Sequence, residues 1–315
     1  MKKLLTSALC IAALYGCADK SRIVRHDLVP GELTGRSVTL EEHLKDIEAV
    51  SKQIEQTPNN ALLYAKRVEL YRDTDTDQQK ALADYNKALE LDPTNPDFYN
   101  ERGVFYHGKG IRIADENNIP NKNLPLAIKG YVKKFLANQE DLEKSIEDFL
   151  AVVRFAKNEK DVKAGYWHAG ESYFFLDDYP KAIEMMNKTI ELFPNDPETY
   201  WHRILINEMA GKYAESIPDW NTVVKLAPLN AANRLARAGT LEILGRYKEA
   251  IDDYDFIINT INNESFLAYE SKSKAHEELG NYTTALNDLK KARELSPIEQ
   301  KGYAQKINEL ELKTK

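Results

Sequence analysis

Apolar side chains recur at helical spacing near both ends of the folded body of the chain. Between residues 39 and 58 they lie three or four positions apart, at Leu40, Leu44, Ile47, Val50 and Ile54. Because that interval places them on one face of a helix, the segment predicts an N-terminal capping helix. Residues 298–315 carry the same pattern at Tyr303, Ile307 and Leu310. We therefore expect a C-terminal capping helix there, with a polar outer face.

Between these ends, a pattern of aromatic, small and proline positions recurs with a period of 34 residues. One copy contains Tyr166, Ala169, Gly170, Tyr173, Tyr179, Ala182, Met186, Thr189 and Pro194. Further copies are marked by Tyr64, Tyr99, Tyr200, Arg237 and Tyr269. Small residues let two helices approach closely, and a proline ends the second helix because it cannot continue it. Gly211, Gly245 and Gly280 occupy the predicted turns, where a positive φ favours glycine.

This pattern resembles the tetratricopeptide repeat (TPR), and the resemblance covers most of residues 59–297. It implies an all-α superhelical solenoid of about six helix-turn-helix repeats. Each hairpin leaves an apolar face that only its neighbours can cover, so the repeats are expected to fold as a stack. Charged residues outside the pattern, such as Asp252 and Asp253, are interpreted as solvated helix charges.

The second repeat departs from the period. After Gly103, the small residue of the second helix is expected at position 115, but the best match is Ser145. Two interpretations remain open: an insertion at about residues 108–140, or a degenerate extra repeat. An insertion of this length would be a projection or a cover over the binding surface.

The first residues predict a secretion signal. Lys2 and Lys3 precede an apolar run, Leu4 to Leu14, that is shorter than the ~20 residues needed to span a bilayer. The run ends in Leu-Tyr-Gly-Cys, which resembles a bacterial lipobox. The resemblance implies a signal peptide over residues 1–16 and a diacylglycerol on Cys17. The alternative is an ordinary cleaved signal in which Cys17 is a bystander.

The segment that would follow cleavage predicts a tether to a membrane. Residues 17–38 contain Pro30, Gly31 and Gly35 and have no helical period. In lipidated proteins, an aspartate directly after the cysteine favours the inner membrane, whereas Ala18 stands there in this chain. The resemblance therefore implies a lipid-anchored protein of the bacterial cell envelope, at the outer membrane.

Composition removes several classes of function. The net charge is −7 without a basic stripe, which argues against binding to nucleic acid. Both cysteines, Cys10 and Cys17, precede the repeats, so the body has no disulfide, thiolate metal site or cysteine nucleophile. The chain also lacks a zinc-protease helix, a serine elbow and a phosphate loop. We expect no catalytic residue, no metal, no cofactor and no enzymatic activity.

The TPR resemblance also implies a binding surface, because the first helix of each repeat lines the concave side in that family. The residues mapped to that groove are Asn100, Trp167, His168, Glu171, Phe174, Trp201, His202, Leu205, Glu208, Leu235 and Lys274. Trp167 and Trp201 would anchor a peptide, or alternatively fill space between hairpins. The Lys/Asn pair with which some TPR domains grip a C-terminal carboxylate is absent, so an acidic, aromatic groove suits a basic and apolar partner.

These observations predict a membrane-anchored adaptor or scaffold for protein–protein interactions in the cell envelope. The first alternative is a structural subunit of a larger envelope or secretion assembly. An enzyme that uses the insertion, or a glycan-binding protein that uses Trp167 and Trp201, is less favoured. A small-molecule substrate is not favoured either, because no candidate chemistry supports one.

Overall fold

A computed structural model describes residues 40–74, 78–112, 136–296 and 301–315. The predicted signal peptide, the lipidated tether and most of the predicted insertion lie outside these residues. Fourteen α-helices and two short strands occur in the described part of the chain. They are α1 Leu40–Gln56, α2 Ala61–Thr74, α3 Gln78–Leu91, α4 Pro96–Gly110, β1 Ile111–Arg112, β2 Leu136–Ala137, α5 Gln139–Phe155, α6 Glu159–Phe175, α7 Tyr179–Leu192, α8 Pro197–Met209, α9 Tyr213–Leu226, α10 Ala231–Ile243, α11 Tyr247–Phe256, α12 Phe266–Glu278, α13 Tyr282–Leu295 and α14 Lys301–Lys313. A π-helical turn, Ile257–Ile261, extends α11.

The described residues divide into two compact units. The N-terminal unit contains residues 40–112 and 136–194, and the C-terminal unit begins at Asn195. Helical hairpins build both: α2/α3, α4/α5 and α6/α7 in the first, and α8/α9, α10/α11 and α12/α13 in the second. Helix α1 packs on α2, and α14 packs on α13, at the two predicted capping segments. The prediction of an all-α fold is confirmed.

Polar caps and turn glycines set the limits of the helices. Asn95 and Asp196 each accept a hydrogen bond from the backbone N–H two residues ahead, and a proline begins the helix that follows each of them. The predicted positive φ is confirmed at Gly211, Gly245 and Gly280, with values of 75°, 74° and 77°. Asp177 takes the equivalent turn position between α6 and α7, at φ 57°. The turn geometry thus repeats even where the glycine does not.

A buried arginine–aspartate pair joins the two helices of four hairpins. The pairs are Arg67–Asp84, Arg102–Asp148, Arg203–Asp219 and Arg237–Asp253. Each guanidinium donates to both carboxylate oxygens, as in Arg67, whose Nε and Nη2 lie 2.7 Å from Asp84 Oδ2 and Oδ1. All four aspartates are buried, at 1–5% exposure. Asp253 was predicted to be a solvated helix charge, and that prediction is wrong, although Asp252 beside it is exposed.

The same guanidinium groups reach a third helix. Arg102 Nη1 donates to Asn86 Oδ1 of the preceding hairpin at 2.7 Å, and Arg237 Nη1 donates to Asn221 Oδ1 at 2.9 Å. Arg67 makes the equivalent bond to Ser51 of α1 at 3.0 Å. One arginine therefore holds its own hairpin together and ties it to the helix before it. We call this recurring set of contacts the arginine ladder.

Two hairpins depart from the arginine ladder in different ways. In α6/α7 the equivalent positions hold Ala169 and Met185, which pack with Phe149 in an apolar cluster. In α12/α13 a lysine replaces the arginine: Lys272 Nζ lies 2.7 Å from Asp255 and 3.8 Å from Asp288. Burial raises the pKa of the Asp288 carboxyl, although the charge of Lys272 opposes the shift. The ladder position thus accepts an apolar pair or a weaker ion pair.

The arginine ladder also bears on the irregular second repeat. Helices α4 and α5 pack directly against each other, and the Arg102–Asp148 pair joins them across a separation of 46 residues. The antiparallel strands close the base of the intervening segment, with Ile111 opposite Ala137 and Arg112 opposite Leu136. This geometry favours an insertion within the hairpin over a degenerate extra repeat. Residues 113–135 lie outside the described part of the chain.

Substitutions at the first rung of the ladder test its role in stability. Arg67→Ala leaves the buried Asp84 carboxylate unpaired, so we expect a loss of about 3 kcal/mol in the free energy of unfolding. The double variant Arg67→Ala/Asp84→Met recreates the Ala169–Met185 combination and should lose less than the single variant. Urea unfolding of both proteins measures the difference. A double variant at least as unstable as the single one would contradict this interpretation.

Candidate functional site

The residues predicted for the groove all lie on first helices of hairpins, and they divide between the two units. The N-terminal unit holds Asn100 on α4 and Trp167, His168, Glu171 and Phe174 on α6. The C-terminal unit holds Trp201, His202, Leu205 and Glu208 on α8, Leu235 on α10 and Lys274 on α12. The role of these residues in binding a partner stays a prediction.

In the N-terminal unit, two histidines flank one carboxylate. Glu171 Oε2 lies 3.6 Å from His107 Nε2 and 3.7 Å from His168 Nδ1. The His168 ring stacks on Phe149 at 5.0 Å, and Trp167 contacts the edge of His168 at the same distance. His168, Trp167 and Glu171 are therefore brought together as the sequence suggested. His107, on α4, completes the group.

Two serine hydroxyls form a hydrogen-bonded chain that ends at the His107 ring. Its Nδ1 lies 2.8 Å from Ser172 Oγ, which is itself 2.9 Å from the buried Ser145 Oγ. Burial lowers the pKa of His107 from its ordinary value of 6.5, although Glu171 acts in the opposite direction. The neutral imidazole is thus the form that the folded protein favours.

The remaining predicted residues of this unit have mixed surroundings. Phe174 is half-buried and contacts Phe175 and Tyr179, at centroid distances of 5.4 and 6.1 Å. Asn100 Oδ1 is buried and accepts no hydrogen bond within the described residues. The aromatic surroundings of Trp167 and Phe174 show that both side chains contribute to packing as well as to the surface.

In the C-terminal unit, Glu208 is the most constrained of the predicted residues. It is only 7% exposed. Its Oε1 accepts hydrogen bonds from Trp220 Nε1 at 2.9 Å and from Thr240 Oγ1 at 2.7 Å, with Ser216 Oγ at 3.2 Å. Thr240 belongs to the next hairpin, so the carboxylate joins two repeats. Leu205, one turn earlier, is also buried, at 8% exposure.

The neighbouring repeat holds a second carboxylate in the same way. Glu242 occupies the position of Glu208 one repeat later, and its Oε1 accepts a hydrogen bond from Tyr254 OH at 2.7 Å. In both hairpins the aromatic donor lies twelve residues after the glutamate. Burial raises the pKa of Glu242, although Tyr254 and the charge of Lys274 oppose the shift. We call Glu208 and Glu242 the carboxylate pair.

Among the described residues, no cation bonds directly to either member of the carboxylate pair, although the charge of Lys274 acts on Glu242. Within the residues described for this unit, no lysine or arginine forms an ion pair with Glu208 or Glu242. Lys274, predicted for the groove, is exposed and pairs with Glu270 at 3.1 Å. A cation placed beside such a partly desolvated carboxylate would stabilise its charged form.

Apolar surface and an open space accompany the carboxylate pair. Trp201 is half-buried with its ring 4.6 Å from Trp220, Leu235 is half-buried, and Met209 is 45% exposed. Gly239 lies within α10, and a Cβ placed on it would meet no atom within 4 Å. A glycine inside a helix lowers stability relative to alanine. Because no neighbouring atom would clash with a Cβ at position 239, packing does not explain the glycine there. His202 is half-buried on α8.

The described residues contain no group of three or more histidine, cysteine, aspartate or glutamate side chains that could hold a metal ion. None of their helices is long and apolar enough to cross a membrane.

The histidine group predicts a pH dependence of stability. Because the pKa of His107 is lowered in the folded protein, the unfolded chain binds a proton that the folded chain excludes as pH falls below about 6.5. Stability from this group is complete above that pH and is lost below it. We expect His107→Gln to lose less stability than the wild type between pH 7 and 5, as measured by urea unfolding. Equal losses in both proteins would contradict the assignment.

Two glycines should respond to alanine in opposite directions. Gly239→Ala adds a methyl group in open space within a helix, and we expect a gain of about 0.5–1 kcal/mol in the free energy of unfolding. Gly103→Ala would bring a Cβ within 2.8 Å of the buried Phe149 ring, so it should destabilise by about 1–3 kcal/mol. Thermal unfolding of both variants measures this contrast. Destabilisation by Gly239→Ala would show that the space is not open.

Comparison with known proteins identifies the repeats. Models of the tetratricopeptide repeat match residues 164–196 and 209–256, and a TPR repeat model matches residues 77–110. The C-terminal part of a TPR repeat-containing protein from Cytophaga hutchinsonii has a similar fold, with a TM-score of 0.57 and 17% identity. That match covers 84% of this chain and 93% of the other.

Two relatives share part of the sequence. An interferon-induced protein with tetratricopeptide repeats 2 from Cricetulus griseus is 28% identical over 126 residues, which is 38% of this chain and 26% of that protein. A TPR repeat-containing protein of Methanocaldococcus jannaschii is 24% identical over 183 residues, or 55% of this chain and 32% of that protein. The matches thus span a third or less of the length of these relatives. The chain carries tetratricopeptide repeats, and its fold is an all-α TPR array.

Proposed function

We propose that this protein is an adaptor that holds other proteins on the first-helix faces of its TPR array. TPR folds bind protein or peptide partners and are generally non-enzymatic scaffolds. The observation that carries the proposal is the carboxylate pair with its open, partly apolar surroundings, which the arginine ladder does not use.

We further propose that the adaptor is anchored in a bacterial cell envelope through a lipid on Cys17. The support is sequence alone: a basic start, a short apolar run and a lipobox-type cysteine, all outside the described residues. Residues 18–38 would then separate the array from the membrane surface. A structural subunit of a larger envelope assembly is the alternative, and it would aggregate or unfold when isolated.

Partner capture tests the adaptor function. We expect the tagged full chain to retain specific proteins from cross-linked cell envelopes, and the double variant Trp167→Ala/Trp201→Ala to lose them. The matched control is Leu192→Ala/Leu226→Ala, which removes exposed side chains from a second helix of each unit. Circular dichroism establishes that all three proteins are folded. Binding would lie elsewhere if only the control variant lost its partners, or if both variants retained them.

Anchoring has its own test. Wild-type protein expressed in a bacterium should incorporate a labelled fatty acid and sediment with membranes, because the cysteine sulfur carries the lipid. Cys17→Ser should lose the label, whereas Cys10→Ser, which lies inside the predicted signal, should keep it. A labelled Cys17→Ser protein, or an unlabelled wild type, would rule out the lipidation proposal.

A further inference from the structure

We propose that the carboxylate pair of the C-terminal unit binds a basic, amphipathic peptide segment of the partner protein, with lysine or arginine side chains on Glu208 and Glu242. This inference rests on the proposed function, because it names the chemistry of the partner that the adaptor would hold. It concerns α8, α10 and the residues beside them, all within one unit.

The first argument is the free-energy cost of desolvating two carboxylates that have no bonded cation among the described residues. Elsewhere in this unit, buried acids are neutralised: Asp219 and Asp253 each receive an arginine. Glu208 and Glu242 receive only neutral donors on Oε1, from Trp220, Thr240 and Tyr254. Those donors fix the direction of each carboxylate without cancelling its charge. A cation from a partner would supply the missing charge and gain strength from the partly desolvated site.

The second argument comes from the next repeat. Glu277 occupies the same repeat position as Glu208 and Glu242, and there α14 supplies two lysines. Lys306 Nζ and Lys313 Nζ lie 3.1 and 2.8 Å from Glu277 Oε1, and the hydrogen bonds they donate lower the pKa of Glu277 against the effect of burial. Tyr303 OH adds a hydrogen bond to Glu270 at 3.0 Å. The protein therefore already shows a lysine-bearing amphipathic helix seated on this position.

The third argument is the apolar component. Helix α14 buries Ile307 and Leu310 against α13 while its lysines reach Glu277. A partner at the carboxylate pair would find apolar surface on the exposed Met209, and Gly239 leaves room for close approach of its backbone. A ligand that combines apolar and cationic side chains satisfies both requirements. An acidic peptide would instead meet two unpaired carboxylates.

A matched pair of peptides tests this chemistry directly. One is a labelled 14-residue amphipathic helix of leucine, alanine and lysine, and its twin carries glutamate in place of each lysine. We expect the full chain to bind the lysine peptide in fluorescence anisotropy, with affinity that falls as salt is raised, and not to bind the glutamate twin. Equal binding of both peptides, or no binding of the lysine peptide, would overturn the proposal.

Variants of the carboxylate pair distinguish a site from general charge attraction. Glu208→Gln/Glu242→Gln keeps the oxygen that accepts the neutral hydrogen bonds and removes both charges, so affinity should fall by about tenfold or more. The control Glu215→Gln/Glu264→Gln changes net charge equally at two exposed positions of the same unit and should bind as the wild type does. Equal losses of peptide affinity in the two double variants would show that net charge alone attracts the peptide, and would overturn the proposed site.

A third variant blocks the site without removing charge. Gly239→Leu extends a side chain from a helical position where a Cβ would meet no atom within 4 Å, so the protein should remain folded. Peptide binding should fall by about tenfold or more, because the leucine occupies the space that the peptide needs. Unchanged affinity in this folded variant would contradict the assigned position. If the envelope partners are still captured when the peptide is not bound, the adaptor function stands and only this inference fails. If neither partner nor peptide binds, both fail.

Discussion

The fold depends on a single arginine in the first helix of most hairpins. Its forked guanidinium satisfies a buried aspartate on the second helix and, in several repeats, reaches an asparagine or serine on the helix before. Because Arg67, Arg102 and Arg237 each bridge three helices, the spacing between hairpins is fixed along with the pairing inside them. The same constraint holds the second repeat together, because Arg102 binds Asp148 across a separation of 46 residues.

Where the arginine ladder is absent or altered, the local chemistry changes. Ala169 and Met185 replace it with apolar packing in the hairpin that also presents Trp167, His168 and Glu171. Lys272 replaces it in the last complete hairpin, where α14 supplies further lysines to Glu277. The two first-helix faces thus differ: one combines histidines with aromatic rings, and the other combines acids with apolar surface. We infer that they are suited to different parts of a partner, or to different partners.

The repeat pattern was predictable because it rests on residues with strong local requirements. Tyrosine, alanine, glycine and proline positions recur in register, and the turn glycines, such as Gly211, confirm the hairpin limits. The ladder was missed because Arg and Asp on a helix are usually solvated, and only three-dimensional packing shows that Asp253 is buried. A signal was nevertheless present: the arginine three residues after a repeat tyrosine, with aspartate sixteen residues later, as in Arg203 and Asp219.

The candidate site was predictable only in outline. The position of Glu208 on a first helix followed from the resemblance, but its burial depends on Trp220 and Thr240, which lie on two other helices. The open space at Gly239 has no sequence signal at all, since a glycine inside a helix has several explanations. Contacts between distant segments therefore decided which predicted groove residues are exposed and which, like Leu205, are buried.

The most direct test of the binding surface is photo-crosslinking in living cells. A photoreactive amino acid at position 209 replaces the exposed Met209 beside the carboxylate pair, and one at position 252 replaces the exposed Asp252 on a second helix. We expect crosslinks to a partner protein from position 209 and not from 252, with the captured peptide containing lysine or arginine near the crosslinked residue. Crosslinks from position 252 alone would contradict the assignment of the first-helix face as the binding surface.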